Sequence, residues 1–136
     1  DGNKIYTGDA YVDTLQIKDN AVTVPSVNSK STLSGTPSIF SDYVDVSINV
    51  DQESWVYASV SGSVFYDSGF GDTFARLVID SSVIAEQGGQ EGFVSCSISG
   101  AIEVNRGSHR AYLQFKSPSG KGQLGEAAIF IMAVKK

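Results

Sequence analysis

Apolar and polar residues alternate along most of the chain. Val44, Val46, Ile48 and Val50 alternate with Tyr43, Asp45, Ser47 and Asn49. A period of two marks a half-buried strand, because successive side chains point to opposite faces of a sheet. The same pattern predicts strands over 43–50, 55–66, 74–79, 83–86, 93–104, 109–116 and 127–134. Val56, Ala58, Val60 and Val64 fall on one face of the second of these. Its other face carries Trp55, Tyr57 and Phe65 between serines and does not read as plainly solvated. In the fifth, Val94, Cys96, Ile98, Ile102 and Val104 point inward, and in the sixth Ala111, Leu113 and Phe115 do. The last is apolar on both faces. Ala127, Ile129 and Ile131 suit the core, which leaves Phe130 and Met132 for a second layer or a neighbouring subunit. Seven short strands with turn residues between them and no helical period predict an all-β fold, an antiparallel β-sandwich resembling a jelly roll.

If consecutive strands reverse direction, the loops sort to two ends. Turns 51–54, 80–82 and 105–108 are tight and share one end, whereas loops 67–73, 87–92 and 117–125 are longer, Gly-rich and share the other. Gly62 marks a bend or a close backbone approach. Upstream, residues 13–25 read DTLQIKDNAVTVP, with apolar runs Leu15/Ile17 and Ala21/Val22/Val24 predicting short strands at 14–17 and 21–24. Pro25 stops further pairing because it lacks a backbone N–H. Two such short strands cannot bury their apolar side chains alone. They need the following domain or further copies of the chain. Residues 26–41 have a Ser/Thr/Gly/Pro linker composition, with Ile39 and Phe40 expected to dock on the domain. The expected organisation is a stem and linker over 1–41 and a sandwich over 42–136.

A length of 136 residues suits one such core. The net charge of -5 argues against nucleic acid as a partner, since phosphate binding calls for a basic surface. The longest apolar run, 127–134, is far shorter than the roughly 20 residues of a membrane helix, so no membrane insertion is expected. A single cysteine, Cys96, excludes an intrachain disulfide framework. Its place on an inward face suggests a buried, inert thiol. The chain opens at Asp1 without Met, giving the expectation that it is cut from something longer.

Candidate chemistry is sparse. Residues 120–125 match G-x-G-x-x-G, but a dinucleotide site needs a strand before it and a helix after it, and the residues that follow read as a strand. A flexible turn is the better reading, and no cofactor is expected. His109 is the only histidine, which rules out a multi-His metal site. A structural histidine at a strand start is the better reading, while a Ser-His-Asp arrangement stays open because triads assemble in space rather than in sequence. Asp67 and Asp72 flank a turn without EF-hand spacing, so they read as turn formers rather than metal ligands. Trp55, Tyr57, Tyr66 and Phe70 suit core or interface packing before a sugar platform. Glu86 and Glu91 read as solvated loop acids rather than a glycosidase pair.

Two stretches together resemble a known family. Residues 9–25, DAYVDTLQIKDNAVTVP, resemble the segment before the C-terminal domain of the tail-tip host-specificity proteins of lambda-like bacteriophages, the protein J family. The ending from Val104, VNRGSHRAYLQFKSPSGKGQLGEAAIFIMAVKK, resembles the closing pattern of phage tail and fibre tip domains. This resemblance implies a non-enzymatic receptor-binding domain at the distal end of a virion tail. It implies a homotrimer, with Leu15, Ile17, Val22 and Val24 of the stem at the subunit interface. The implied receptor is a bacterial outer-membrane protein or surface glycan. The Gly-rich loop end is the expected contact, through Tyr66, Asp67, Phe70, Asp72, Gln90, Glu91, Ser119 and Lys121. A structural trimerisation cap and a carbohydrate-binding module are the alternative readings.

Overall fold

The computed structural model describes residues 25–31, 33–34, 38–67, 73–90, 94–118 and 122–136. The described residues form strands and no helix. In chain order these are β1 (Ser26–Lys30), β2 (Leu33–Ser34), β3 (Ser41–Val50), β4 (Ser54–Asp67) and β5 (Thr73–Ile79). They continue with β6 (Ser82–Gln90), β7 (Val94–Val104), β8 (Gly107–Lys116), β9 (Gly122–Leu124) and β10 (Ala127–Lys135). Two antiparallel sheets result. The first joins β1 to β10 and β10 to β4, with β7 on the opposite edge of β4. The second runs β3-β8-β5-β6. The chain crosses between the sheets repeatedly, so each has four principal strands and the sandwich is a jelly roll.

Period two explains the core. Val44, Val46, Ile48 and Val50 of β3, Ala75, Leu77 and Ile79 of β5, and Ala111, Leu113 and Phe115 of β8 are buried. They meet Val56, Ala58 and Val60 of β4, Cys96 and Ile98 of β7, and Ala127, Ile129 and Ile131 of β10. Removing this much aliphatic surface from water is the main stabilising term, at about 25 cal/mol per Å². Burial also pushes the Cys96 thiol up to about 11, so it is protonated at neutral pH.

Four elements differ from the sequence reading, the first being β6, which continues to Gln90 through residues expected in a Gly-rich loop. Residues 26–30, expected as linker, form β1 and complete the first sheet by pairing antiparallel with β10, Ser26 opposite Ile131 and Lys30 opposite Ala127. Tyr43, expected on the outer face of β3, is buried, because a register shift between Asp42 and Val44 makes it the extra residue of a bulge. Its hydroxyl donates to the carbonyls of Ser31 and Gly125, tying β3 to the ends of β1 and β9. Part of the G-x-G-x-x-G run is strand β9, which extends the first sheet beside Phe65–Asp67.

Close approach accounts for the glycines that matter. β4 bulges between Ser61 and Val64, where a Cβ on Gly62 would lie 3.1 Å from the Ala127 Cβ. In β6, Thr73 pairs with Gln90 and Phe74 with Gly88, so one residue of β6 is extra. Gly88 has φ +146, and a Cβ there would meet the Thr73 carbonyl oxygen at 2.2 Å.

At the tight-turn end, Asp80 opens the β5–β6 hairpin with φ 56, the left-handed conformation that primed hairpin turns use and that Asp tolerates better than most residues. Asp80 also holds β8 in place. Its Oδ2 lies 2.7 Å from His109 Nδ1, its Oδ1 accepts from the Arg110 backbone N–H at 3.1 Å, and its carbonyl accepts from the Tyr112 hydroxyl at 2.8 Å. His109 Nε2 lies 2.7 Å from the Asn105 carbonyl. Both ring nitrogens therefore face acceptors, which suits the imidazolium. Partial burial opposes protonation, but the hydrogen bonds to Asp80 and Asn105 and the Asp80 charge outweigh it and hold the pKa above its ordinary value of 6.5.

Two predictions follow from this geometry. Gly88→Ala should lower stability by about 2–4 kcal/mol, because the clash is with backbone and the new residue is strained at that φ; an unchanged urea midpoint would show that the bulge can relax. For His109 the folded state holds the proton more tightly, so its contribution is full below pH 6.5 and is lost as pH rises through the higher folded value. The Tm gap between wild type and His109→Gln should therefore be wider at about pH 5.5 than at about pH 8.5, and a gap independent of pH would discount the Asp80 pairing.

Candidate functional site

The topology gathers part of the expected contact set. Tyr66 and Asp67 end β4 opposite Gln123 and Gly122, and Gln90 ends β6 opposite Thr73, the first residue of β5. Because β4 leads into β5, Tyr66, Asp67 and Gln90 share the long-loop end of the sandwich. Their side chains fall outside the described residues. So do Phe70, Asp72, Glu91, Ser119 and Lys121, and the expected interface residues Leu15, Ile17, Val22 and Val24.

The same end carries a cleft that the sequence reading did not assemble. It opens on the outer face of the second sheet, has a volume of about 370 Å³, and is lined by Phe40, Phe74, Glu86, Gln87, Gly88 and Lys116. Strand register builds it. Lys116 closes β8 opposite Phe74 of β5, which in turn faces Gly88 of the β6 bulge. Phe40, just before β3, lies between two cations: the Arg76 guanidinium at 3.9 Å and the Lys116 ammonium at 4.5 Å from its ring centre. Lys116 also lies 5.0 Å from the Phe74 ring centre. Such contacts are each worth about 0.5–1 kcal/mol at exposed sites and hold the rings and cations in register. Among the described residues, Lys116 has no carboxylate within ion-pair distance.

A polar row supports the cleft from below. Asp42, Gln114, Arg76 and Glu86 lie opposite one another across all four strands of the second sheet. Arg76 Nε donates to Gln114 Oε1 at 2.7 Å, and Gln114 Nε2 donates to Asp42 Oδ1 at 2.9 Å. Arg110 donates to Asp42 Oδ2 at 3.0 Å and to Asp45 Oδ2 at 2.9 Å, and stacks on Tyr112 at 4.3 Å. The Gln114 hydrogen bond leads in holding the Asp42 carboxyl below its usual range, against some desolvation, with help from Arg110. The cleft thus combines the Lys116 ammonium, held over two aromatic rings, with the Glu86 carboxylate, a mixed lining that suits a polar ligand carrying an apolar or sugar-like surface.

The other sequence candidates are placed as follows. Trp55 and Tyr57 are exposed on the outer face of the first sheet, so they are not core residues. His109 and Asp80 do form the Asp–His half of a triad, but Nε2 is taken by the Asn105 carbonyl, which leaves no nitrogen to accept a serine proton. Glu86 lines the cleft, and Glu91 lies outside the described residues. The signal for the cleft was weak: Phe40 was expected to dock, but nothing in spacing ties it to Arg76 and Lys116.

No family model and no curated protein matches the chain. Solved structures similar to it include infectious bursal disease virus VP2 in a subviral particle, at 8% identity and TM-score 0.45 over 82% of this chain. They also include a ruminal endo-β-1,4-mannanase, at 10% identity and TM-score 0.38 over 62% of this chain. An insecticidal delta-endotoxin of Bacillus thuringiensis matches at 10% identity and TM-score 0.40 over 71% of this chain. The chain spans only 33%, 17% and 19% of these three proteins.

Proposed function

We propose that the chain is a non-catalytic attachment module at the distal tip of a bacteriophage tail, which recognises a receptor on the host bacterial surface and works as a homotrimer. The observation that carries this reading is the aromatic and cationic cleft of Phe40, Phe74 and Lys116, at the loop end where receptor contact is expected. The resemblance of residues 9–25 and of the ending from Val104 to phage tail-tip proteins supplies the setting. A rigid jelly roll presenting loops at one end is a suitable scaffold for recognition without chemistry. The charge pattern adds specificity. Lys116 and Arg76 gather around one ring while Glu86 lines the same cleft, so a ligand there meets both signs of charge in fixed positions. Three copies would multiply a weak single contact by avidity.

Binding of the fluorescently labelled chain to a panel of Gram-negative cells, scored by flow cytometry, tests this. Saturable binding to at least one strain is expected. The double substitution Phe40→Ala with Lys116→Glu should weaken it by about tenfold or more, while a Tm lowered by the three cation–π contacts it removes still leaves the chain folded, by far-ultraviolet circular dichroism, at the assay temperature. Ser81→Ala with Arg106→Ala at the tight turns should leave binding unchanged. Loss confined to the tight-turn variant would move the contact to the opposite end, and no saturable binding to any strain would remove the attachment reading.

A further inference from the structure

The cleft on the second sheet holds two charges of opposite sign that do not neutralise each other. Lys116 and Glu86 both line it. Arg76 stands directly opposite Glu86 on the neighbouring strand, a place that favours an ion pair. Its guanidinium turns instead to Gln114, at 2.7 Å, and to the Phe40 ring. Among the described residues, neither Glu86 nor Lys116 has an opposite charge within ion-pair distance. Register sets the gap between them. Lys116 faces Phe74, Phe74 faces Gly88, and Glu86 lies opposite Arg76 on the next row. Two strand spacings across and two residues along put their Cα atoms about 12 Å apart. Phe74 stands between them, its ring centre 5.0 Å from the Lys116 ammonium. Gly88 has no side chain, so the space beside that ring stays open.

We infer that this cleft takes an acidic sugar, a pyranose carrying a carboxylate or a phosphate. The anionic group sits on Lys116, hydroxyls donate to the Glu86 carboxylate, and a C–H face of the ring lies against Phe74. The inference rests on the cleft named in the proposed function and gives its ligand a chemical class. Each feature of the lining disfavours a competitor. A basic ligand meets Lys116 and Arg76. A simple polyanion meets Glu86, which can only accept hydrogen bonds when ionised. An apolar ligand strips water from both charges and pairs neither. An uncharged sugar satisfies Glu86 and Phe74 but leaves Lys116 unmatched. A zwitterion matches both charges but brings its cation to Glu86 beside the Arg76 guanidinium on the next strand. An acidic sugar meets all three, because its anion and its far hydroxyls are separated by the width of a ring with apolar C–H groups between them. The volume, about 370 Å³, is that of a small-ligand site. Beside it, Asp42, Gln114 and Arg76 are already hydrogen-bonded to one another, so a flat protein surface would gain little there.

NMR titration of the full chain, following backbone amides, tests this with four probes: methyl β-D-glucuronide, glucose-6-phosphate, methyl β-D-glucoside and phosphocholine. In wild type the amides of Phe74 and Gly88 should move most, and at least one acidic sugar should bind about tenfold more tightly than the glucoside. Whichever of the two acidic sugars binds more tightly assigns the anion as carboxylate or phosphate. Lys116→Gln should erase the preference for acidic sugars while leaving the glucoside affinity unchanged, and Lys116→Arg should retain that preference. Glu86→Gln, an exposed change that keeps the fold even where Lys116→Gln does not, should weaken all three sugars by about tenfold. Equal affinity for glucuronide, glucose-6-phosphate and glucoside overturns the inference. So does tighter binding of phosphocholine, a preference for acidic sugars that survives Lys116→Gln, or shifts confined to other strands. Absence of binding by every probe overturns it too, and the cell-binding assay then separates the two readings. Loss of cell binding in the Phe40→Ala and Lys116→Glu chain would keep recognition through the cleft and assign it to a protein receptor. Binding of an acidic sugar without binding to any cell would uphold the ligand class and remove the attachment reading.

Discussion

The fold depends on β4. Residues 54–61 of this strand are hydrogen-bonded on one edge to β10 and on the other to β7, so Val56, Ala58 and Val60 each sit in the middle of a three-strand row. Those three side chains are buried against the second sheet. A strand paired on both edges and packed on one face can neither slip nor splay, because a one-residue slip would carry Trp55 and Tyr57 inward and the valines out. The bulge at Gly62 and Ser63 then lets the same strand continue beside β9, where β10 has ended. The long-loop end of the first sheet is therefore anchored through β4 to the best-buried part of the molecule.

Strands whose apolar residues turn inward were legible in the sequence. β3, β8 and β10 each bury the alternate residues that the period assigns, from Val44 to Val50, Ala111 to Phe115 and Ala127 to Ile131. β1 was not legible, for a physical reason. SVNSK has one apolar residue, Val27, and that residue points out, so the strand is held by backbone pairing and leaves no hydrophobic period to detect. Tyr43 was misplaced because a bulge changes the face of a residue without changing its letter. The cleft was illegible because its parts come from the approach to β3, the end of β8, and β5 and β6. Only the sheet order β3-β8-β5-β6 brings Phe40, Lys116 and Phe74 together.

The two outer faces now differ in kind. The second sheet spends its outward positions on a linked set from Asp80 and Tyr112 through Arg110, Asp42 and Gln114 to Arg76, most members holding a charge or an amide in a hydrogen bond. Surface ion pairs of this sort contribute little stability each, with a median of about 0–1 kcal/mol. Their effect is to fix side-chain positions and to keep the face wet. The first sheet leaves Trp55, Tyr57 and Val134 in water with no such compensation.

That asymmetry bears on the proposed function. If copies pack through the first sheet, the second sheet of each faces outward, and the cleft at its long-loop end stays open on every subunit. A binding site on the apolar face would compete with assembly, whereas one on the polar face does not. Assembly would also raise avidity without altering the cleft, since the core between the sheets separates the two surfaces. The buried aliphatic layer from Val56 to Phe115 separates the two outer faces, so a change on one leaves the side chains of the other in place.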